Sequence, residues 1–344
     1  MRTKAAILVE TNKHLVIDEI EIPQLMPGQV LVEIKYSGVC HTQLLETTGL
    51  RGKDEFLPHC LGHEGSGTVI DVSKNVKKVK IGDNVILSWM KGLGENVNGT
   101  KYDWKEKKVN AGAITTFSHY AIISENRLTI LPQNFPLKEA ALIGCAMPTG
   151  LGAIFNTANP MPGESLAVFG CGGIGLCAIQ GARIVGCAPI IAIDLNPNKL
   201  ILAKEMGATH LIDASKQDPV KAIQEITSLD YAVEATGSCL VMNQALLSVR
   251  NQGGCVVIIG NAPYGNNLNI DPKQFNLGKK ILGTWGGDND PDLHFSKYCK
   301  LIQYGYFNIK PFVNNVYSLD SINLALSDLQ NGKALRPIID MSLG

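Results

Sequence analysis

Gly170-Cys171-Gly172-Gly173-Ile174-Gly175 constrains the fold more than any other stretch of the chain, because of what flanks it. The apolar run Leu166–Phe169 precedes it and a helical pattern follows. In a strand–turn–helix of this kind the first glycine allows a tight turn. The second lets backbone approach a pyrophosphate, and the third lets the helix pack closely on the strand. The helix N-terminus then offers N–H groups and the positive end of its dipole to phosphate. Asp194 ends the next apolar run about twenty residues on, where a carboxylate binds an adenosine ribose diol and repels a 2′-phosphate. Gly170, Gly172, Gly173, Ile174, Gly175 and Asp194 are therefore candidate contacts for NAD rather than NADP. The plainer reading makes Asp194 a solvated strand end or a helix cap, although Asn196 suits the cap better.

The surrounding segments repeat the same alternation. Leu166–Phe169, Ile190–Ile193, Tyr231–Val233, Val256–Ile259 and Ile281–Leu282 read as buried strands. Asn196-Pro197 and Asp218-Pro219 each put a capping side chain before a proline suited to the first helical turn. Ser238 is placed to cap the run through Leu246, and Gly207 and Gly253 to close helices. Continuous apolar strands alternating with helices imply an α/β, doubly wound parallel sheet.

The first 145 residues read differently. Val32, Ile34 and Tyr36 alternate with Glu33 and Lys35, the period of a half-buried strand. Thr68–Val72 and Asn84–Leu87 are further strands joined by the turn chemistry of Gly82-Asp83, so this half reads as mostly antiparallel β. Lys91–Gly112 is polar and glycine-punctuated and reads as a surface excursion. Leu293–Tyr304 and Leu319–Leu329 are helix candidates, and Pro337–Met341 is a strand that we expect to return to the first domain. At 344 residues, two domains are the default.

Lysine plus arginine balances aspartate plus glutamate at 31 each, so no charge excess points to nucleic acid or an anionic membrane as partner. Ala5–Val9 is too short for the core of a signal peptide. The nine cysteines are scattered rather than spaced as a disulfide frame, which fits a reducing cytoplasm.

Cys40, His63 and Cys145 could together make an open zinc site. Two thiolates and one imidazole leave a fourth tetrahedral position for water or substrate, the mark of a catalytic rather than a structural zinc. Spacing does not decide the matter. Free cysteines are commonly buried hydrophobes, and a lone histidine is more often hydrogen-bonded in a core than bound to metal. Glycines flank each of the three, and Glu64 follows the histidine.

Four segments in order resemble the medium-chain, zinc-dependent alcohol dehydrogenase family. They are Gly38-Val39-Cys40-His41-Thr42, Gly62-His63-Glu64, Gly144-Cys145 through Gly150, and Gly170–Gly175. The resemblance covers nearly the whole chain. It implies a GroES-like zinc catalytic domain (1–147 and 286–344), an inserted Rossmann domain (148–285), and an active site in the cleft between them. It implies Cys40, His63 and Cys145 as zinc ligands, with Glu64 behind the metal or as a transient fourth ligand. By the same resemblance Thr42 is the first member of a proton relay, and His41 and Arg336 contact the phosphates. Thr149 contacts the nicotinamide and Lys199 the adenosine ribose. Each of these has a bland alternative as a turn residue or solvated charge. The implied reaction is hydride transfer between NAD and an alcohol, aldehyde or ketone. The alternative from another class is a non-catalytic nucleotide-binding protein.

The chain departs from the family in three places. No cysteine lies between Cys60 and Cys145, so the lobe that binds a structural zinc in many members is absent and one zinc per chain is expected. Leu45 stands where the relay often has histidine. Gln43 stands where an acid commonly bonds the zinc-bound histidine, and a neutral amide supports that ring less well. In the pocket Trp89 matches an aromatic wall, while His59 and Lys91 could favour a sugar, polyol or cyclitol over a simple primary or aromatic alcohol. Exposed lysine and a core indole are the plainer readings of Lys91 and Trp89. The resemblance also implies a homodimer or homotetramer, because family members pair the sheet edge near Asn266–Gly283 between subunits.

Overall fold

Strand Gln29–Gly38 is the spine of the first half of the protein; Val32 and Ile34 are buried between half-buried Glu33 and Lys35 as expected, whereas Tyr36 is only half-buried and Val30 and Leu31 are both buried. The computed structural model describes residues 1–343. The spine pairs antiparallel with Glu64–Val72 on one side and with Tyr120–Ser124 and Ile338–Asp340 on the other. Asn84–Ser88, Leu128–Ile130 and Val316–Tyr317 complete this sheet. The tail strand meets the spine at its far end, with Ile338 opposite Gly38. Contacts divide the chain into two units: Met1–Cys145 with Asp290–Gly305 and the segment from Ile309 onward, and Ala146–Asn289 with Tyr306–Asn308. The short return at Tyr306–Asn308 has a clear cause. Arg183 donates to the Tyr306 carbonyl at 2.6 Å, and the Gln180 amide bonds Asn308 in both directions.

Lys91–Gly112 is more than the surface excursion its polarity suggests. Lys101–Trp104 and Lys107–Asn110 form a hairpin that closes a barrel with Arg2–Leu8, Val16–Glu21 and His59–Cys60. Tyr102 and Val109 are wholly buried, and the Tyr102 hydroxyl accepts the Ile122 N–H at 2.7 Å. The charged turn Lys105–Lys108 masks this short alternation in the sequence. The loop before the hairpin is tied down by Glu125. Its Oε1 accepts the Lys77 and Lys78 N–H groups at 2.5 and 2.6 Å, and its Oε2 accepts the Glu95 N–H at 2.8 Å. Ser124 and Asn126 add bonds to Val97 and Glu95.

The second unit is a six-stranded, all-parallel sheet in the order His210–Asp213, Ile190–Asp194, Leu166–Phe169, Tyr231–Glu234, Cys255–Ile258, Lys280–Gly283. The order reverses between Leu166–Phe169 and Tyr231–Glu234, the topological switch point at which such sheets bind ligands. Asn196 and Asp218 cap their helices as expected, accepting the Asn198 and Val220 N–H groups at 2.9 and 2.8 Å. Ser238 begins helix Cys239–Ser248 without a side-chain cap bond, and Gly253 does not close it. Val249 is already extended, and Gly253 sits at φ +112° in the turn before Cys255–Ile258. The edge strand His210–Asp213 escapes a search for apolar runs because His210 and Leu211 are exposed. Among the described residues no single helix is long and apolar enough to cross a membrane.

Burial pushes the Glu125 carboxyl up, but its backbone N–H donors more than offset this and leave it below the ordinary glutamate range. A depressed native value adds stability that is fully present above the unfolded value, about 4.3. That stability drains away as pH falls through the native value. Glu125→Gln should therefore cost about 1–3 kcal/mol at neutral pH. In urea unfolding, the gap from wild type should narrow below about pH 4.

Candidate metal centre and nucleotide loop

Three separate pieces of chain deliver Cys40, His63 and Cys145. Cys40 is the N-cap of helix His41–Thr47, directly after the spine strand. His63 precedes strand Glu64–Val72, and its carbonyl accepts the Trp89 N–H at 3.0 Å. Cys145 follows the turn Ala141–Gly144, whose last carbonyl accepts the Ser88 hydroxyl at 2.6 Å. One ligand atom from each of the three lies within 4.8 Å of the others. His63 Nδ1 is occupied by the Gln43 amide at 2.7 Å, whereas Nε2 is buried with no hydrogen-bond partner. An orphaned imidazole nitrogen facing two thiols is the donor set a zinc ion satisfies, and it leaves one tetrahedral position for a further ligand. The residues fit the metal.

Electrostatics agree. The Cys40 thiol is held well below its usual range by Cys145 as a hydrogen-bonding neighbour and by the charges of Arg336 and His63. Cys145 moves the opposite way, because its partner already carries the negative charge. Burial alone would lower His63, but the adjacent Cys40 sulfur more than reverses that.

Glu64 sits behind the cluster with no exposure. Its Oε1 accepts Arg336 Nε at 2.9 Å and a second bond from Arg336 Nη2. The structure therefore places Arg336 in the interior, neutralising Glu64, and not on an open surface. A Cβ on Gly38 would run into the Glu64 carboxylate, which is why the segment leading to Cys40 carries glycine there.

Thr42 Oγ1 lies 3.6 Å from Cys40 Sγ. His41 is exposed at the start of the same helix. Trp89 follows strand Asn84–Ser88, half-buried, and its carbonyl accepts a bond from Arg127. His59 is bonded to Asp54 at 2.8 Å, and Lys91 is exposed. Two charged residues went unnoticed in the sequence. Glu46 lies one helical turn beyond Thr42 and pairs with Arg51 at 3.1 Å. Burial raises the Glu46 carboxyl, which also feels the charges of His63, Arg51, His59 and Cys40. The four-residue spacing from Thr42 was the available signal.

In the second unit the glycine loop has the expected form. Gly170 has φ +93° and donates to the Ile193 carbonyl at 2.8 Å. Gly172 caps helix Gly173–Val185 without a side chain, so no side-chain oxygen covers the helix N-terminus. A Cβ on Gly175 would collide with the Gly170 carbonyl. Ile174 lies in the first turn, and Thr149 is buried in helix Ala146–Gly152. Asp194 braces the loop: its Oδ2 accepts the Cys171 N–H at 2.7 Å and its Oδ1 the Asn196 N–H at 2.9 Å. Lys199 is half-buried on the next helix, near enough for its charge to act on Cys171.

Comparison with known proteins defines the class. Residues 26–133 match the alcohol dehydrogenase GroES-like domain and residues 173–303 the zinc-binding dehydrogenase domain. The S-(hydroxymethyl)glutathione dehydrogenase of Synechocystis sp. is 34% identical, over 98% of this chain and all of that one. An alcohol dehydrogenase zinc-binding domain protein from Burkholderia ambifaria superposes with a TM-score of 0.92 at 31% identity, covering 99% of each chain. Benzyl alcohol dehydrogenase from Acinetobacter calcoaceticus superposes with a TM-score of 0.90 at 30% identity and the same coverage. This chain belongs to the medium-chain, zinc-dependent alcohol dehydrogenase family.

Removing one partner of a buried ion pair strands the other charge, at a cost of about 3–5 kcal/mol. Arg336→Met should show that loss in its urea midpoint. Arg336→Met combined with Glu64→Leu should recover most of it, because an apolar pair of similar volume leaves no charge buried.

Proposed function

We propose that the chain oxidises a polar, hydroxyl-rich alcohol, or reduces the matching carbonyl, with NAD as hydride carrier and one zinc per chain. The three convergent ligand atoms of Cys40, His63 and Cys145 carry the enzymatic reading. When bound, zinc supplies a Lewis acid that favours negative charge on the reacting oxygen, and NAD takes up the hydride. The two sulfurs and His63 Nε2 would hold the metal, with Glu64 and Arg336 fixing the charge behind it. The Thr42 hydroxyl, beside Cys40, would take up the alcohol proton at Oγ1 while passing its own on, through the cofactor ribose, to water. Gly170–Gly175 and the helix N-terminus would cradle the pyrophosphate, and Asp194 would meet the adenosine ribose. His41, Thr149 and Lys199 would complete the nucleotide contacts.

For the substrate class, the supporting observation is a group of polar side chains near His63: Glu46, which pairs with Arg51 at 3.1 Å and feels the charges of His63 and His59, and Asp54, hydrogen-bonded to His59 at 2.8 Å. Hydroxyl groups can exchange hydrogen bonds with such side chains, whereas a hydrocarbon would leave them unsolvated. The Synechocystis relative is named for a polar glutathione adduct, which accords with this. A second reading, a simple aromatic or primary alcohol, is favoured by the benzyl alcohol dehydrogenase likeness and by Trp89 beside His63. Self-association as a homodimer or homotetramer is part of the proposal. The edge strand Lys280–Gly283 is flanked by exposed Phe275 and Trp285. None of the nine cysteines is joined in a disulfide, in keeping with a cytoplasmic setting.

The test is NADH formation by zinc-loaded protein offered polyols and sugar alcohols beside benzyl and short-chain alcohols. The polar panel should have the higher kcat/KM, and Arg51→Leu should raise its KM about tenfold, some 1.4 kcal/mol, while leaving benzyl alcohol unchanged. Preference for benzyl alcohol would establish the second reading. Cys40→Ala should lose both zinc and turnover, and turnover that survives would remove the metal from the reaction.

A further inference from the structure

Gln43 is an amide that has to serve two donors. Its Oε1 accepts the Cys40 backbone N–H at 2.7 Å, the capping-box bond that starts helix His41–Thr47. Its Nε2 therefore faces His63 Nδ1, also at 2.7 Å. The residue is 1% exposed, so bulk water does not relieve the arrangement. An amide nitrogen donates and does not accept, so this bond requires a lone pair on His63 Nδ1. In a neutral imidazole the proton then resides on Nε2. Yet Nε2 is the nitrogen left buried and unpartnered beside the two sulfurs, and a metal ligand must present a lone pair there. Turning the amide over does not help, because its NH2 would then meet the Cys40 N–H, donor against donor. A carboxylate, with two accepting oxygens, satisfies both donors at once.

We infer that Gln43 is a positioning residue that holds His63 in the tautomer opposed to zinc. The site is thereby a weaker and more readily emptied zinc holder than the same site with a carboxylate at position 43. The inference rests on the zinc reading of the site.

Gln43→Glu tests it without dismantling the helix start, because glutamate serves a capping box as well as glutamine does. Wild type and variant, both zinc-loaded, are titrated at one pH against a chromogenic zinc chelator. The variant should hold zinc roughly tenfold to a hundredfold more tightly, the range over which such supporting partners act. Equal or weaker affinity in the variant overturns the inference while leaving the zinc site standing. Zinc held by neither protein overturns both. A second readout is the 15N spectrum of histidine-labelled, zinc-free wild type, with His63 assigned through His63→Gln. A proton on Nε2 is expected, and a proton on Nδ1 overturns the inference.

Discussion

A carboxylate with no exposure cannot stay ionised in an apolar interior without a partner, and Glu64 is such a group. Its partner, Arg336, comes from the far end of the chain, which explains why the tail must return to the first unit. Strand Ile338–Asp340 docks beside Gly38 and brings Arg336 onto Glu64 just behind the cluster. The glycine at position 38 leaves the room this needs. The pair fixes the start of strand Glu64–Val72, and hence His63, relative to the spine strand that ends at Cys40.

From that anchor the chemistry divides between the two units. The first supplies a converging donor set whose last member, Cys145, closes it. The second supplies a glycine loop at the switch point of a parallel sheet, where Asp194 braces it through the Cys171 N–H. Zinc-dependent dehydrogenases need both parts, a group to stabilise charge on oxygen and a carrier for hydride. The loop before the hairpin is tied down by hydrogen bonds to Glu125.

What the sequence disclosed is what is encoded locally. The glycine fingerprint, the Asn196 and Asp218 caps and the Val32–Ile34 alternation each fall within a dozen residues, so period and turn chemistry reveal them. The hairpin from Lys101 to Asn110 stayed hidden because its strands are short and its turn is highly charged. Arg336 reads as a phosphate contact by resemblance, or plainly as a solvated charge, until the fold brings Glu64 to it. The ambiguity of Cys40, His63 and Cys145 was of the same kind, since spacing cannot show that three distant segments converge. Resemblance to a family supplied that link. Gln43 was legible as a departure, but its conflict between two donors appears only with the Cys40 N–H and His63 Nδ1 both in place.

The central claim is a single open zinc site made by two sulfurs and one imidazole nitrogen. Zinc K-edge X-ray absorption on the zinc-loaded protein reads that coordination shell directly. The account predicts two sulfur scatterers at about 2.3 Å and two nitrogen or oxygen scatterers at about 2.0–2.1 Å, with an imidazole signature. A shell of four sulfurs, or one of nitrogen and oxygen only, would contradict it.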